Sequence, residues 1–252
     1  MTVRRIEIVG AGRMGRALAV ELRTLGYEVT VGGRGATGSA ADAVLLAVPD
    51  AAIAEAAARI EPGRLVGHLS GATSLAPLAP HESFSMHPLL TVPEEDPRSA
   101  AAGGGFTGAY SAVSGTSERA LAVAEELARA LGMQTFRLAD EDRAAYHAAA
   151  SIASNFLVTL EGIAERLAAT AGVPRAALVP LVEASVRNWA ALGAAAALTG
   201  PIARGDETTV ADQRAAVAGR LPERLETFDA LAAATRDLAR ERTAGIDGEA
   251  RA

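Results

Sequence analysis

The 252-residue sequence contains no cysteine and no lysine. Without cysteine there is no thiol nucleophile, no thiolate-bound zinc and no disulfide, which fits a chain working in the cytoplasm. Without lysine there is no Schiff-base amine and no ammonium group to act as acid or base. All 24 basic residues are arginine, and a guanidinium stays protonated. The net charge is −6 with the basic residues scattered, which argues against nucleic acid or an anionic membrane as the main partner. The longest apolar stretch, Ala144–Leu160, is interrupted by His147, Ser151 and Asn155. It reads as a buried helix rather than a membrane span. A strand pattern begins at about Val3, so no signal peptide is expected ahead of the fold.

Half of the residues are hydrophobic, enough for a sizeable core, and the length allows two modest domains. Arg4–Val9, Tyr27–Val31, Ala43–Val48, Leu65–Leu69 and Phe84–Met86 read as strands. Ala109–Ser114 and Thr135–Leu138 read as two more. Helices are expected over Met14–Leu25, Ala51–Arg59 and Glu118–Leu131. Strands alternating with helices imply a doubly wound α/β domain with a mostly parallel sheet. Beyond Ala139 the strand signals stop, and helices punctuated by Pro174, Gly200-Pro201 and Pro222 follow. The reading therefore places an α/β domain over residues 1–139 and an all-helical domain over 140–252. Thr91–Gly105, with Pro93, Pro97 and three successive glycines from 103, reads as a loop. A frayed tail is expected from about Thr243.

The segment Gly10-Ala11-Gly12-Arg13-Met14-Gly15 is a G-x-G-x-x-G lying directly after a strand and opening a helix, the context in which it binds dinucleotides. Gly10 permits the tight turn, Gly12 lets the backbone approach a pyrophosphate, and Gly15 lets the helix pack closely on the strand. The helix start at Arg13 and Met14 offers free N–H groups to the phosphates. An NAD-type site carries a carboxylate at the end of the second strand. Here that strand ends Val31-Gly32-Gly33-Arg34-Gly35, and the next carboxylate is Asp42. A carboxylate would repel a 2′-phosphate and Arg34 would pair with it, so NADP(H) is the expected cofactor.

Ligands of open α/β sheets bind beyond the carboxyl ends of the strands. Those ends carry Val48-Pro49-Asp50, Ser70-Gly71-Ala72 and His87-Pro88. Val48, Pro49 and Ser70 are expected beside the cofactor, with Pro49 stiffening the turn where a nicotinamide would lie. Asp50 reads as a helix N-cap, and Ser70 as either a cap or a substrate contact. His87 reads as a proton donor, a carboxylate ligand or a structural residue. His68 and His81 read as structural. In the second domain, His147, Ser151 and Asn155 recur at i, i+4 and i+8 and share a helix face. Three polar side chains on an otherwise apolar helix need partners, from an active-site cleft or from an internal polar network. Arg204 and Asp206, after the Gly200-Pro201 break, would reach a substrate carboxylate or pin a helix corner.

The sequence resembles the family of Rossmann-like proteins with a DUF2520 C-terminal domain, within the wider 6-phosphogluconate dehydrogenase C-terminal-like superfamily. Gly10–Gly15, Ala47–Asp50, His68–Ala72, Ser85–Leu89, His147–Phe156 and Leu198–Asp206 carry the resemblance. It implies a Rossmann domain, a helical second domain, dimerisation through the helices and reduction of keto acids or cyclic imines with NAD(P)H, ketopantoate reductase-like members included. The chain departs from the superfamily twice. Ser151 stands where many relatives carry a lysine four residues before the asparagine that Asn155 matches. Gln213 stands where a histidine follows the Thr209-Val210 pair.

The expected activity is thus NADPH-dependent reduction of a small carbonyl compound, foremost a 2-keto acid such as ketopantoate. His147 or His87 would protonate the nascent alkoxide, and Ser151 and Asn155 would orient the carbonyl. A cyclic imine reductase of the pyrroline-carboxylate type and a non-catalytic NADP(H)-binding regulator are the alternatives. Ala144–Leu160 and Trp189–Ala203 are apolar around most of their circumference, as in helices buried on all sides. A domain of that size offers them little cover, so a homodimer is expected.

Overall fold

In a computed structural model that describes residues 3–92 and 105–249, the apolar runs of the first half assemble into one seven-stranded sheet. Its strands are β1 (Arg5–Val9), β2 (Glu28–Gly32), β3 (Ala43–Leu46), β4 (Leu65–His68), β5 (Glu82–Leu89), β6 (Tyr110–Gly115) and β7 (Gln134–Arg137). The order is β2-β1-β3-β4-β5-β6-β7. Neighbours run parallel except β5 and β6, which are antiparallel. The doubly wound, mostly parallel α/β fold is the one expected. The loop expected over 93–104, with Pro93, Pro97 and the first two of the three glycines, lies outside the described residues.

Alternate strand residues face opposite sides, and both sides are apolar because both are covered. Ile6, Ile8, Leu45, Phe84 and Met86 pack with Leu18 and Leu22 of α1 (Arg13–Thr24) and Leu127 of α3 (Glu118–Ala130). Val44, Leu46 and Val66 face the other way, against Ile53 and Ala57 of α2 (Ile53–Ala57) and against Leu78. The strand order reverses between β1 and β3, and a crevice opens beyond their carboxyl ends, as it does in such sheets.

Two strand extents differ from expectation. β3 stops at Leu46, two residues early. β5 runs from Glu82 to Leu89: Glu82 and Ser83 pair with Leu65 and Val66 of β4, and its second half pairs with β6, from Met86↔Val113 to Leu89↔Tyr110. The parallel ladder with β4 ends at Ser85. His87 therefore lies within a strand, beyond the reach of its parallel neighbour.

By contacts the chain divides into two units, Met1–Asn155 and Phe156–Ala252, where the change of pattern had suggested 139/140. β7 does end at Arg137, but α4 (Arg143–Ser151) is anchored to the sheet by Arg143, which bonds Ser85 and Ser114. The second unit comprises α5 (Leu157–Ala169), α6 (Arg175–Leu192), the single turn α7 (Ala194–Ala197), α8 (Glu207–Arg220) and α9 (Leu225–Glu249). Trp189–Ala203 is not one helix: α6 ends at Gly193, with φ 77°, and a second break follows at Gly200. The backbone of α9 remains helical to Glu249, through the expected tail.

Ala144–Leu160 is not buried in the single chain: Ile152, Phe156 and Val158 are 60%, 56% and 71% exposed. Among the described residues of the second unit, Val210, Val217, Leu221 and Ala232 are the buried hydrophobics. Arg214 with Asp229, Arg236 with Glu207, and Arg166 with Glu223 tie its helices together from outside. Asp206 neither pins a corner with Arg204 nor points elsewhere. It is the N-cap of α8, accepting from the Thr209 N–H at 3.1 Å and its hydroxyl at 2.7 Å. No helix of the described residues is long and apolar enough to cross a membrane.

Candidate active site and dinucleotide crevice

The first turn after β1 is shaped by glycine. Gly10 has φ 115°, and a Cβ there would collide with the Ala47 carbonyl. A Cβ on Gly15 would collide with the Gly10 carbonyl, and Ala47 Cβ lies 3.1 Å away. Around Gly12, in contrast, nothing lies within 4 Å of such an atom. The turn is tight where protein meets protein and open where a ligand would approach. Gly12 is also the N-cap of α1, whose first turn has no side-chain cap and no acidic residue. Its N–H groups, those of Arg13 and Met14 included, suit phosphate. The Met14 side chain packs on the sheet core.

A cavity of about 470 Å³ runs from Gly10, Val48 and Pro49 to Gly33, Arg34 and Arg59. Asp42 plays no part in it. It sits at the amino end of β3, 2.7 Å from the Arg5 guanidinium, and that hydrogen bond holds its carboxyl at about 2. The Glu7 carboxylate lies behind Gly32 and accepts the Gly38 N–H at 2.9 Å.

Further along the carboxyl edge, Asp50 and Ser70 meet. Asp50 caps no helix; it begins a short 3₁₀ turn and accepts the Ser70 hydroxyl at 2.7 Å. The same hydroxyl accepts the Ala72 and Thr73 N–H groups. The Ser70 hydroxyl is spent on Asp50 and on its own loop, and its side chain lines neither the crevice nor the pocket described next. His68 is fully buried; Nδ1 accepts the Ser70 N–H and Nε2 faces the Ser74 carbonyl at 3.1 Å, so the ring is neutral and structural. His81, buried against the Ala57 carbonyl, is structural too.

A pocket of about 540 Å³ gathers His87, Tyr146, His147, Ser151, Ser154 and Asn155 within the first unit. Four of these were expected together, and the local helix explains why they stay together. Each four-residue α-helical step overshoots a full turn by about 40°, so two steps would swing Asn155 well away from His147. After Ser151 the chain winds as a π-helix, Ile152–Phe156. Its wider turn takes back part of that drift, and π turns are frequent at functional sites.

Below the pocket, Gly71 supports both imidazoles. A Cβ there would lie 2.8 Å from His87 Cε1 and 3.1 Å from His147 Nδ1. The His87 and His147 rings are 6.4 Å apart, centre to centre. Tyr146 stands edge-on to His87 and to Phe136, with its hydroxyl 2.6 Å from His87 Nδ1. Burial, and then the neighbouring His147, push His87 down to about 4. Burial pushes Tyr146 up to about 12. Over the whole range between, the phenol donates and the neutral imidazole accepts, which leaves the His87 proton on Nε2. His87 is therefore no imidazolium acid at neutral pH.

Arg143 braces this arrangement. It is 3% exposed, and its guanidinium donates to Asp140 at 2.7 Å, Ser85 at 2.8 Å and Ser114 at 2.6 Å. Arg143, Tyr146 and His147 occupy i, i+3 and i+4 of α4 and so face the sheet together. That spacing is the sequence signal for Arg143 and Tyr146, neither of which was expected at the site; nor was Arg59. Among the described residues no group of three or more His, Cys, Asp or Glu side chains is placed to hold a metal ion.

Residues 109–235 match the family described as Domain of unknown function (DUF2520). No curated protein matches the chain. Among solved structures, a Bacteroides fragilis protein is similar at 19% identity and TM-score 0.78, over 93% of this chain and 98% of that one. A reductive aminase from Aspergillus terreus, in complex with NADPH and ethyl levulinate, is similar at 20% identity and TM-score 0.68, over 95% of each chain. A 1-pyrroline-5-carboxylate reductase from Streptococcus pyogenes is similar at 16% identity and TM-score 0.61, over 94% and 98%. At these identities the likeness is one of fold.

Proposed function

The chain belongs to the DUF2520 family, and from its site we propose that it is an NADP(H)-dependent reductase of a small substrate bearing a C=O or C=N bond. One observation carries the reading. The carboxyl edge of the sheet is continuous from the open Gly12 turn, through Pro49 and the Asp50–Ser70 bond, to Gly71 beneath His87 and His147. Gly10, Gly12 and Gly15 leave room for a pyrophosphate at the start of α1. Arg34, in a strand end (residues 31–35) that carries no carboxylate of its own, suits a 2′-phosphate. NADPH, when bound, supplies the hydride.

The chain's own residues position the substrate and supply the proton. His147, on the exposed rim of the pocket, is the proton donor. His87, held neutral by burial and hydrogen-bonded to Tyr146, keeps a second imidazole charge away from His147. Ser151 and Asn155 orient the reacting bond. This is the stripe on which superfamily members carry lysine, and the acid there is an imidazole instead. The structural likeness to a reductive aminase and to a 1-pyrroline-5-carboxylate reductase supports a C=N substrate. An iminium is already activated and asks less of a lysine-free site. A 2-keto acid such as ketopantoate is the carbonyl reading.

A screen of NADPH oxidation over keto acids, including ketopantoate, and cyclic imines tests both. Turnover of either class is the expected result. On the active compound, His147→Ala should lower the single-turnover rate by about 10²-fold or more, as loss of a general acid does, with the melting temperature kept. Full activity in a folded His147→Ala variant would remove that residue from the chemistry. Tight NADPH binding with no turnover of any compound would make the protein a binding regulator. We also propose that a second copy of the chain covers the apolar faces of the helical unit.

A further inference from the structure

We propose that Arg59 is a second determinant of cofactor choice, acting with Arg34 on the 2′-phosphate and partly held back by Glu55. This rests on the reading that the crevice holds NADP(H). Arg59 follows α2, 25 residues from Arg34, yet both line one end of the crevice. The Arg59 guanidinium reaches the loop after β2, with one nitrogen 3.3 Å from the Arg34 carbonyl oxygen. With a pyrophosphate at Gly12, the adenosine ribose lies at the end of the second strand, the place these two side chains flank.

The charges decide between a 2′-hydroxyl and a 2′-phosphate. Two guanidinium groups and the Glu55 carboxylate sum to one positive charge at this end of the cavity. A neutral hydroxyl gains little from that, whereas a phosphate monoester carries roughly −1.5 to −2 at pH 7. The Arg34 guanidinium makes no hydrogen bond or ion pair with another described residue. Arg59 is paired with Glu55 at 2.5 Å, but the partners are 45% and 68% exposed. An exposed i, i+4 pair of this kind is weak and is given up readily. Arg59 can thus turn from Glu55 to the phosphate, and Glu55 tempers the gain.

Isothermal titration of the full chain with NADP⁺ and NAD⁺ tests this without turnover. The unmodified protein should bind NADP⁺ more tightly. Arg59→Gln should weaken NADP⁺ by about tenfold or more, the usual worth of a charge-assisted hydrogen bond, and leave NAD⁺ within about twofold. Glu55→Gln should tighten NADP⁺ several-fold, an effect a merely structural pair would not produce. If the unmodified protein prefers NAD⁺ or binds neither, the NADP(H) reading itself fails. If it prefers NADP⁺ and Arg59→Gln leaves that preference whole, Arg34 acts alone and the inference fails. Equal loss of both nucleotides, with a lower melting temperature, would make Arg59 a loop brace and also overturn it.

Discussion

His87 shows how burial changes what a residue can do. At the end of an apolar run it read as a proton donor, ligand or structural group. In the fold it is an acceptor for Tyr146 and is depressed to about 4 from 6.5. The consequence for stability has a definite sign. Between pH 6.5 and 4 the unfolded chain takes a proton at this residue and the folded chain does not. Stability should therefore fall as pH drops through that window, by up to about 1.4 kcal/mol per pH unit from this group. Urea unfolding at stepped pH should show a shallower fall in His87→Gln. His68, also depressed by burial, keeps a part of the slope. An unchanged slope would mean that His87 titrates alike in both states. His147, Ser151 and Asn155 were legible because helix periodicity is local. Tyr146 and Arg143 were not, because what defines them comes from far along the chain: His87 is 59 residues from Tyr146, and Ser85 is 58 from Arg143.

At the scale of elements, the start of α1 separates a structural glycine from a ligand glycine. Gly15→Ala drives a methyl into the Gly10 carbonyl and should destabilise the fold by about 1–3 kcal/mol, as overpacking does. Gly12→Ala meets no atom within 4 Å, so its melting temperature should match that of the unmodified protein while NADPH binding is lost. Differential scanning calorimetry with and without NADPH reads both. A Gly12→Ala variant still stabilised by NADPH would move the pyrophosphate elsewhere. The glycine pattern and most strand starts of this half were readable because each depends on a few neighbouring residues. The extent of β5 was not, since distant β4 holds its first residues and β6 its last. The role of Asp50 was missed for the same reason: the Ser70 hydroxyl that claims it lies 20 residues away.

For the whole molecule, contacts set a division in the chain after Asn155. The family match itself runs across it, from the first residue before β6 into α9. The helical unit exposes Val158 at 71%, Leu181 at 65%, Trp189 at 58% and Leu192 at 59%. So much large apolar surface around a thin core is what the proposed second copy would cover. Light scattering at micromolar concentration should give twice the chain mass, and Trp189→Glu should shift it toward the monomer. A monomeric unmodified protein would leave these faces without an occupant.

The serine pair beneath the pocket also bears on how the chain reaches its final form. Ser85 and Ser114 face each other across β5 and β6, 2.8 Å apart, and the buried Arg143 donates to both. Were β6 to slip by one residue along β5, every one of its side chains would change face. Ser114 would leave, and a sealed guanidinium would lose an acceptor it cannot replace with water. The strand that carries His87 thus has a proofreading residue. A sheet zipped out of step would leave α4 anchored by one serine fewer.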